Sequence, residues 1–208
     1  EARALKSEVS RDPALYLLVA EIFITAGNFG EAIAVAKQVQ SKCPENDHVH
    51  AILAYSAYVD EEFEEAESYA NEAVRLNETN AYAKTVLMKV ATHNGNYENA
   101  EAIGVQILAD SPDYSLGHAN LGDVYFNQGR YELAEIEYEQ AREIMDSGTK
   151  GTKLREARMK FIKGDYIGAA DILKKLIQGE HSYYDDAMCD LLLCYDEMGD
   201  NDNKENVL

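Results

Sequence analysis

The apolar residues of this chain recur at helical spacing, in blocks that repeat about every 34 residues. In each block a first apolar stripe ends at a turn residue and a second stripe begins after it, which predicts two helices joined by a tight turn. The first stripe includes Ala20, Ala54, Met88, Gly122, Ala157 and Leu192, and the second includes Ala32, Ala66, Ala100, Ala134 and Ala169. A period of this length predicts stacked helical pairs that bury their apolar faces against their neighbours.

A short motif marks the turn inside each block: a turn residue, an aromatic residue two places later and an alanine three places after that. Its five copies begin at Gly27, Glu61, Gly95, Gly129 and Gly164, and a sixth glycine, Gly199, follows. Glycine enters the left-handed conformation without a Cβ penalty, so the chain can turn sharply there. The alanine lets the two helices approach closely, and the aromatic ring fills the space between them.

These residues resemble the tetratricopeptide repeat family, and the likeness extends from Pro13 to Leu208. The resemblance implies an all-α fold, a right-handed superhelical solenoid of antiparallel helix pairs whose first helices line a concave groove. Glu61, in place of glycine, departs from the pattern. We expect residues 1–12 to be the end of a preceding helix, 13–149 to be repeats 1 to 4, 150–184 to be an irregular basic repeat 5, and 185–208 to be a partial sixth repeat or capping helix.

The net charge of -19 argues against a general role with nucleic acids or anionic membranes, because the field of the chain repels phosphate. Residues 150–175 differ from this background, with eight lysines and arginines against three acidic residues. Such a local basic surface favours an acidic peptide or the acidic part of a second copy as its partner. A solvated helix face is the alternative interpretation.

The sequence contains no motif that indicates catalysis. Phosphate-binding loops, nucleophile elbows and zinc-binding spacings are missing from it, so we expect no enzyme activity, no cofactor and no metal. No apolar run approaches the roughly 18 to 20 residues that cross a bilayer. Three cysteines without a disulfide pattern favour a reducing compartment, so we expect a cytoplasmic protein that reaches membranes or organelles only through partners.

The spacing from each turn places polar and aromatic residues on the predicted concave face. The candidates are Tyr55, Tyr58, Lys89, His93, Asn120, Asp123, Phe126, Asn127, Arg155 and Arg158, with Phe161 on the same face. Rigid aromatic surface beside amide and guanidinium donors suits an extended peptide or a docked helix of another protein. We therefore predict a scaffold that binds a peptide segment, acidic or C-terminal in character.

Some members of the family hold a chaperone's C-terminal tail with a clamp of Lys and Asn, then Asn, then Lys and Arg. Only Asn120 and Arg155 match that clamp here, since Thr85, Lys89 and Gly151 occupy its other places. Two further hypotheses stay open. One is a self-assembling scaffold that coats an organelle or complex, as the magnetosome-associated member of the family does, and the other is the regulatory arm of a larger enzyme or co-chaperone.

The fifth block is irregular. Glu156 and Lys160 occupy places that are mostly apolar in the other blocks, and the connection from Asp146 to Thr152 is longer and contains glycine. This pattern is consistent with a softened joint between two parts of the solenoid. An insertion without functional consequence explains it equally well.

Overall fold

A computed structural model describes residues 13–25, 28–144, 150–178 and 184–205. In these ranges the chain forms twelve α-helices and no β-strand. The first helices of the successive units are α1 (Pro13–Thr25), α3 (Asp47–Val59), α5 (Ala81–His93), α7 (Ser115–Asn127), α9 (Lys150–Ile162) and α11 (Tyr184–Met198). The second helices are α2 (Phe29–Gln40), α4 (Phe63–Leu76), α6 (Tyr97–Asp110), α8 (Tyr131–Ile144), α10 (Tyr166–Ile177) and the short α12 (Asn201–Glu205).

Consecutive helices pack against each other along the chain, which confirms the predicted all-α solenoid of helix pairs. The expected helix over residues 1–12 lies outside the described residues, as do Gly27 and residues 145–149, which connect α8 to α9. None of the described helices is long and apolar enough to span a membrane.

The helix boundaries follow from local chemistry. The side chains of Asn46 and Asn80, one repeat apart, accept hydrogen bonds from the backbone N–H groups of Val49 (3.1 Å) and Ala83 (2.9 Å), so they cap the first turns of α3 and α5. At the other end of a unit, α2 and α6 stop a few residues before Pro44 and Pro112, because a proline lacks the backbone donor that would continue the helix.

The turn residues take the left-handed conformation that the motif predicts. Gly95, Gly129, Gly164 and Gly199 have φ angles of 71°, 74°, 78° and 67°. Glu61 takes the same conformation, with φ of 61°, although it carries a side chain. The geometry of the repeat therefore imposes the left-handed turn even where the residue does not favour it.

The alanines of the motif let the helices of a unit approach closely. Ala32, Ala66, Ala100, Ala134 and Ala169 are all fully buried. Gly122 of α7 also allows close packing of two helices, because a Cβ at this position would lie 2.5 Å from Cε1 of Tyr138 on α8. The tyrosine ring occupies the space that a side chain at residue 122 would need.

The apolar core is interrupted between the fourth and fifth units. One buried cluster reaches Tyr138 of α8, and the next begins at Leu154 of α9. Between α8 and α9 lies a cavity of about 330 Å³. Glu156, which lines it, is exposed, whereas Leu53 and Leu121 at the matching positions of other units are each 2% exposed. Because Glu156 does not make the buried apolar contact of those leucines, the packing at this joint is looser.

Candidate functional site

Eight of the ten candidate residues line one cavity of about 390 Å³ on the concave face. They are Tyr58, Lys89, His93, Asn120, Asp123, Asn127, Arg155 and Arg158. The repeat brings them together because α3, α5, α7 and α9 present the same helix face in each unit. Asp186 of α11 completes the wall. We call this space the polar cavity.

Two candidates lie elsewhere. Phe126 lines a neighbouring cavity and not the polar one. Tyr55 lines neither of these two cavities, and its ring packs against Tyr82 with 5.6 Å between the ring centroids. The ring of Tyr55 therefore belongs to the packing between α3 and α5.

Asp123 and Arg155 form a two-point ion pair in the polar cavity. Nε of Arg155 donates to Oδ1 of Asp123 at 2.8 Å, and Nη2 donates to Oδ2 at 2.5 Å. The hydroxyl of Tyr138 also donates to Oδ1, at 2.9 Å. Burial alone would raise the pKa of Asp123, but Arg155, Lys89 and the tyrosine hydroxyl outweigh it and hold that pKa below its ordinary value.

Arg158 is also held by carboxylates of the same chain. Its Nε donates to Oδ2 of Asp190 at 2.6 Å, and Nη2 lies 3.4 Å from Oδ1 of Asp186. Burial opposes its charge, yet the two aspartates raise the pKa of Arg158. Both aspartates belong to α11, so this contact joins the fifth and sixth units.

The basic surface expected over residues 150–175 is therefore largely neutralised within the molecule. Besides the two arginines, Lys160 pairs with Asp165 at 2.7 Å, and Lys163 pairs with Glu135. Arg155 pairs with Asp123 inside the polar cavity, and Arg158 pairs with Asp186 of that cavity and with Asp190. The sequence count weighed these cations only against acidic residues within 150–175, so it missed Asp123, Glu135 and Asp190, which lie 28 to 32 positions from their partners.

Aromatic rings close the amino-terminal end of the polar cavity. The ammonium group of Lys89 lies 5.4 Å from the centroid of the Tyr58 ring, and the ring of His93 stacks on Phe63 with centroids 3.8 Å apart. Burial lowers the pKa of Lys89, while the charge of Asp123 opposes that change. This end is therefore apolar surface with one partly desolvated cation.

The two asparagines of the polar cavity differ in what they can offer a ligand. Asn120 is 4% exposed, and its Nδ2 donates to the carbonyl of Leu116 at 2.6 Å, so its donor serves the helix. Asn127 is exposed, and its side chain makes no hydrogen bond within the described part of the chain. An amide with both groups open can donate to and accept from a peptide backbone.

A second, apolar cavity of about 360 Å³ adjoins the polar one. Asn127 and Arg158 line both cavities, so the two lie side by side. The apolar residues of the second cavity are Phe126, Tyr131, Ala157, Phe161, Ile162, Leu173, Leu193 and Cys194. Edge-on ring pairs hold its walls, since Phe126 contacts Tyr131 at 5.4 Å and Phe161 contacts Tyr166 at 5.2 Å between centroids. We call this space the apolar cavity.

Asp190 and Leu193 are site residues that our sequence interpretation missed. Leu193 precedes Gly199 by the same number of residues as Asp123 precedes Gly129 and Arg158 precedes Gly164. Counting back from Gly199 would have placed both residues on the concave face. The expectation of a partial repeat or cap for the sixth unit left them out.

The clamp for a chaperone tail is not assembled here. Thr85, in its first place, is 3% exposed and donates its hydroxyl to the carbonyl of Ala81 at 2.8 Å. Arg155, in its last place, is bonded to Asp123. Neither side chain is positioned to receive a carboxylate.

Sequence comparison finds repeated units at two places in the chain. Family models described as tetratricopeptide repeat match residues 17–81 and residues 115–147. A comparison with curated proteins gave no match.

Solved structures share the fold at low sequence identity. A thermophilic TPR protein of Thermus thermophilus is 16% identical, with a TM-score of 0.70 over 86% of this chain and 100% of that one. PilF of Pseudomonas aeruginosa is 17% identical, with a TM-score of 0.62 over 94% and 88%. The Cut9–Hcn1 hetero-tetramer of the APC/C gives 18% identity and a TM-score of 0.75 over 94% of this chain and 40% of that one. These likenesses confirm the predicted α-α superhelix.

Proposed function

Because tetratricopeptide-repeat models match residues 17–81 and 115–147, we propose that this chain is a non-catalytic scaffold whose concave groove binds a peptide segment of another protein. The groove consists of the polar and apolar cavities defined above. The observation that carries the proposal is that Asn127, whose amide is open, lines both cavities. The first helices of five units, α3, α5, α7, α9 and α11, contribute side chains to the polar cavity. The surface is therefore long in the direction of the solenoid.

The shape and chemistry of the groove support a peptide better than a small molecule. Two adjoining spaces of about 390 and 360 Å³ form an elongated surface, whereas a small-molecule site usually encloses most of its ligand in one concavity. Aromatic walls provide contact area with little loss of side-chain entropy. The Asn127 amide adds backbone hydrogen bonding that does not depend on the peptide's sequence.

A selection experiment with random peptides tests this proposal. A phage-displayed library of random dodecapeptides is panned on the whole purified chain, and the affinities of enriched peptides are measured by fluorescence anisotropy. We expect Asn127→Ala to weaken binding by about tenfold, the loss that one or two hydrogen bonds to a peptide backbone would cause.

Asn99→Ala provides the matched control, because Asn99 is an exposed asparagine on the second helix α6 and lines neither cavity. The Asn99→Ala protein should bind the enriched peptides with the same affinity as the wild type. Enriched peptides that bind Asn127→Ala and Asn99→Ala equally well would overturn the groove proposal.

The alternatives of self-assembly and of a regulatory arm remain predictions. Self-assembly through the basic fifth unit has less physical support than the sequence suggested, because Arg158, Lys160 and Lys163 each pair with a carboxylate of the same chain. We therefore put forward peptide binding alone.

A further inference from the structure

The two arginines of the polar cavity are already held by carboxylates and are closed to an acidic ligand. Arg155 directs two nitrogens at Asp123, and Arg158 directs its Nε at Asp190. A carboxylate from a ligand would have to displace one of these aspartates, which would then lie in the groove without its cation. Charge pairs that are already satisfied oppose a ligand of the same sign as the partner it must replace.

The apolar cavity has surface that a ligand can still cover. Leu193 is 52% exposed although it lines a cavity with Phe126 and Phe161. Ile162 of α9, which lines the same cavity, is 37% exposed. An apolar side chain placed between these residues would remove their surface from water, and such a central, desolvated contact is typical of residues that dominate binding.

The carboxyl-terminal helices of the chain are strongly acidic. Residues 184–205 contain eight aspartates and glutamates against one lysine, Lys204, and two of the aspartates, Asp186 and Asp190, line the groove. Asp186, which lines the polar cavity, has a side chain that is 61% exposed, and its distance to Arg158 is a long 3.4 Å. With a net charge of -19 for the whole chain, the field around these helices attracts cations.

Building on the proposed function, we infer that the bound segment is a basic-hydrophobic peptide. Its apolar anchor side chain occupies the cavity between Phe126, Phe161 and Leu193, and a lysine or arginine beside the anchor pairs with Asp186. The anchor supplies affinity, while the cation sets the direction of the peptide along the groove. The acidic or C-terminal segment expected from the sequence fits this surface less well.

The test uses the peptides enriched in the dodecapeptide selection. We expect them to share an aromatic or aliphatic residue next to a basic one. Leu193→Glu should weaken their binding at least tenfold, because it places a charge in the apolar cavity. Ile167→Glu is the matched control, since Ile167 is 69% exposed and lines neither cavity. Circular dichroism checks that both variants keep their helices.

The charged contact is tested separately. Asp186→Asn should weaken binding by about three- to tenfold and make the affinity less dependent on salt, as loss of one exposed charge pair does. The same loss should appear with wild-type protein when the peptide's basic residue is changed to alanine. That measurement does not depend on whether a protein variant folds.

The results separate this inference from the proposed function. Peptides that lose affinity for Asn127→Ala but are acidic, or that bind Leu193→Glu as well as Ile167→Glu, would overturn the basic-hydrophobic assignment and leave groove binding intact. Peptides that are insensitive to Asn127→Ala would overturn both.

Discussion

Arg155 and Asp123 form a bidentate ion pair that joins α9 to α7 across the boundary between the fourth and fifth units, with N–O distances of 2.8 and 2.5 Å. The arginine side chain is 21% exposed and the aspartate side chain 28% exposed. One apolar cluster ends at Tyr138 and the next begins at Leu154, so this pair spans a place where the apolar core is interrupted. The same side chains line the groove, and we infer that the stability of the joint and the chemistry of the groove are linked.

Replacing Asp123 should destabilise the protein in a pH-dependent way. At pH 7 we expect Asp123→Asn to lower the free energy of unfolding by about 1–2 kcal/mol, since it removes the charge that Arg155 and Tyr138 bind in a half-buried site. The pKa of Asp123 is lowered in the folded state, so its contribution is present above the unfolded pKa of about 3.8 and is lost as the pH falls through the folded value. Urea unfolding from pH 7 to pH 2 should therefore show the two proteins converging below about pH 3.8.

Asp171→Asn is the control for that experiment. Asp171 is exposed on α10 and forms no ion pair within the described residues, so its replacement should change the unfolding free energy by less than about 0.5 kcal/mol. A difference between wild type and Asp123→Asn that stays constant down to pH 2 would contradict the assigned role of the carboxylate.

The sequence predicted which residues share the groove face, because the pattern of buried residues repeats from one helix pair to the next. Lys89, Asp123 and Arg158 stand at one position of successive units, and the buried alanines that follow each turn fix which face of the first helix points inward. Such a pattern depends only on local helix geometry and on the length of the repeat. It therefore identifies which residues share a face, and the polar cavity contains eight of the ten residues placed in this way.

The pairing of charges could not be predicted by the same means. Whether Arg155 meets Asp123 or faces solvent depends on how closely the fourth and fifth units stack, and on side-chain rotamers. At this joint Glu156 replaces an apolar residue, so the regular spacing of the other units does not apply. Periodicity describes each helix separately, whereas an ion pair depends on the distance between two helices.

Glu61→Gly should stabilise the protein. Glu61 has a φ of 61°, a left-handed conformation that costs a residue with a Cβ about 1–2 kcal/mol. Glycine removes that strain, but the greater entropy of the unfolded chain costs about 0.4–1 kcal/mol of stability. We therefore expect the free energy of unfolding, measured by chemical denaturation, to rise by about 0.5–1 kcal/mol.

Gly95→Ala makes the reverse change at the matching turn, where φ is 71° and no atom would crowd the new Cβ. It should destabilise by a similar amount, and equal stability of all three proteins would show that the turns are unstrained.

Gly122→Ala should disturb the contact between α7 and α8. An alanine Cβ would lie 2.5 and 2.6 Å from two ring carbons of Tyr138, whose hydroxyl is bonded to Asp123. The ring must move, and we expect the cost of overpacking to exceed the gain in helix propensity of about 1 kcal/mol, which leaves a net loss of about 1–2 kcal/mol. Gly30→Ala is the control, because nothing lies within 4 Å of a Cβ there. The melting temperature of Gly30→Ala should rise instead. A rise in melting temperature for Gly122→Ala would refute the packing role of Tyr138.

Glu156→Leu should close the joint between the fourth and fifth units. The substitution restores the residue type of Leu53 and Leu121 at the matching positions, beside a cavity of about 330 Å³. Burying a leucine side chain contributes about 1.5–3 kcal/mol, while the lost pair with Lys153 is an exposed one worth less than about 1 kcal/mol. We expect a net gain of about 1 kcal/mol, or an increase in melting temperature of about 2–4 °C for a chain of this length. Hydrogen exchange should slow in α8 and α9, because local opening at the joint becomes less favourable.

Glu156→Gln is the control, because it removes the charge without filling the cavity. It should change neither the melting temperature nor the exchange rate. If it matches Glu156→Leu, the charge and not the missing apolar contact is what loosens the joint.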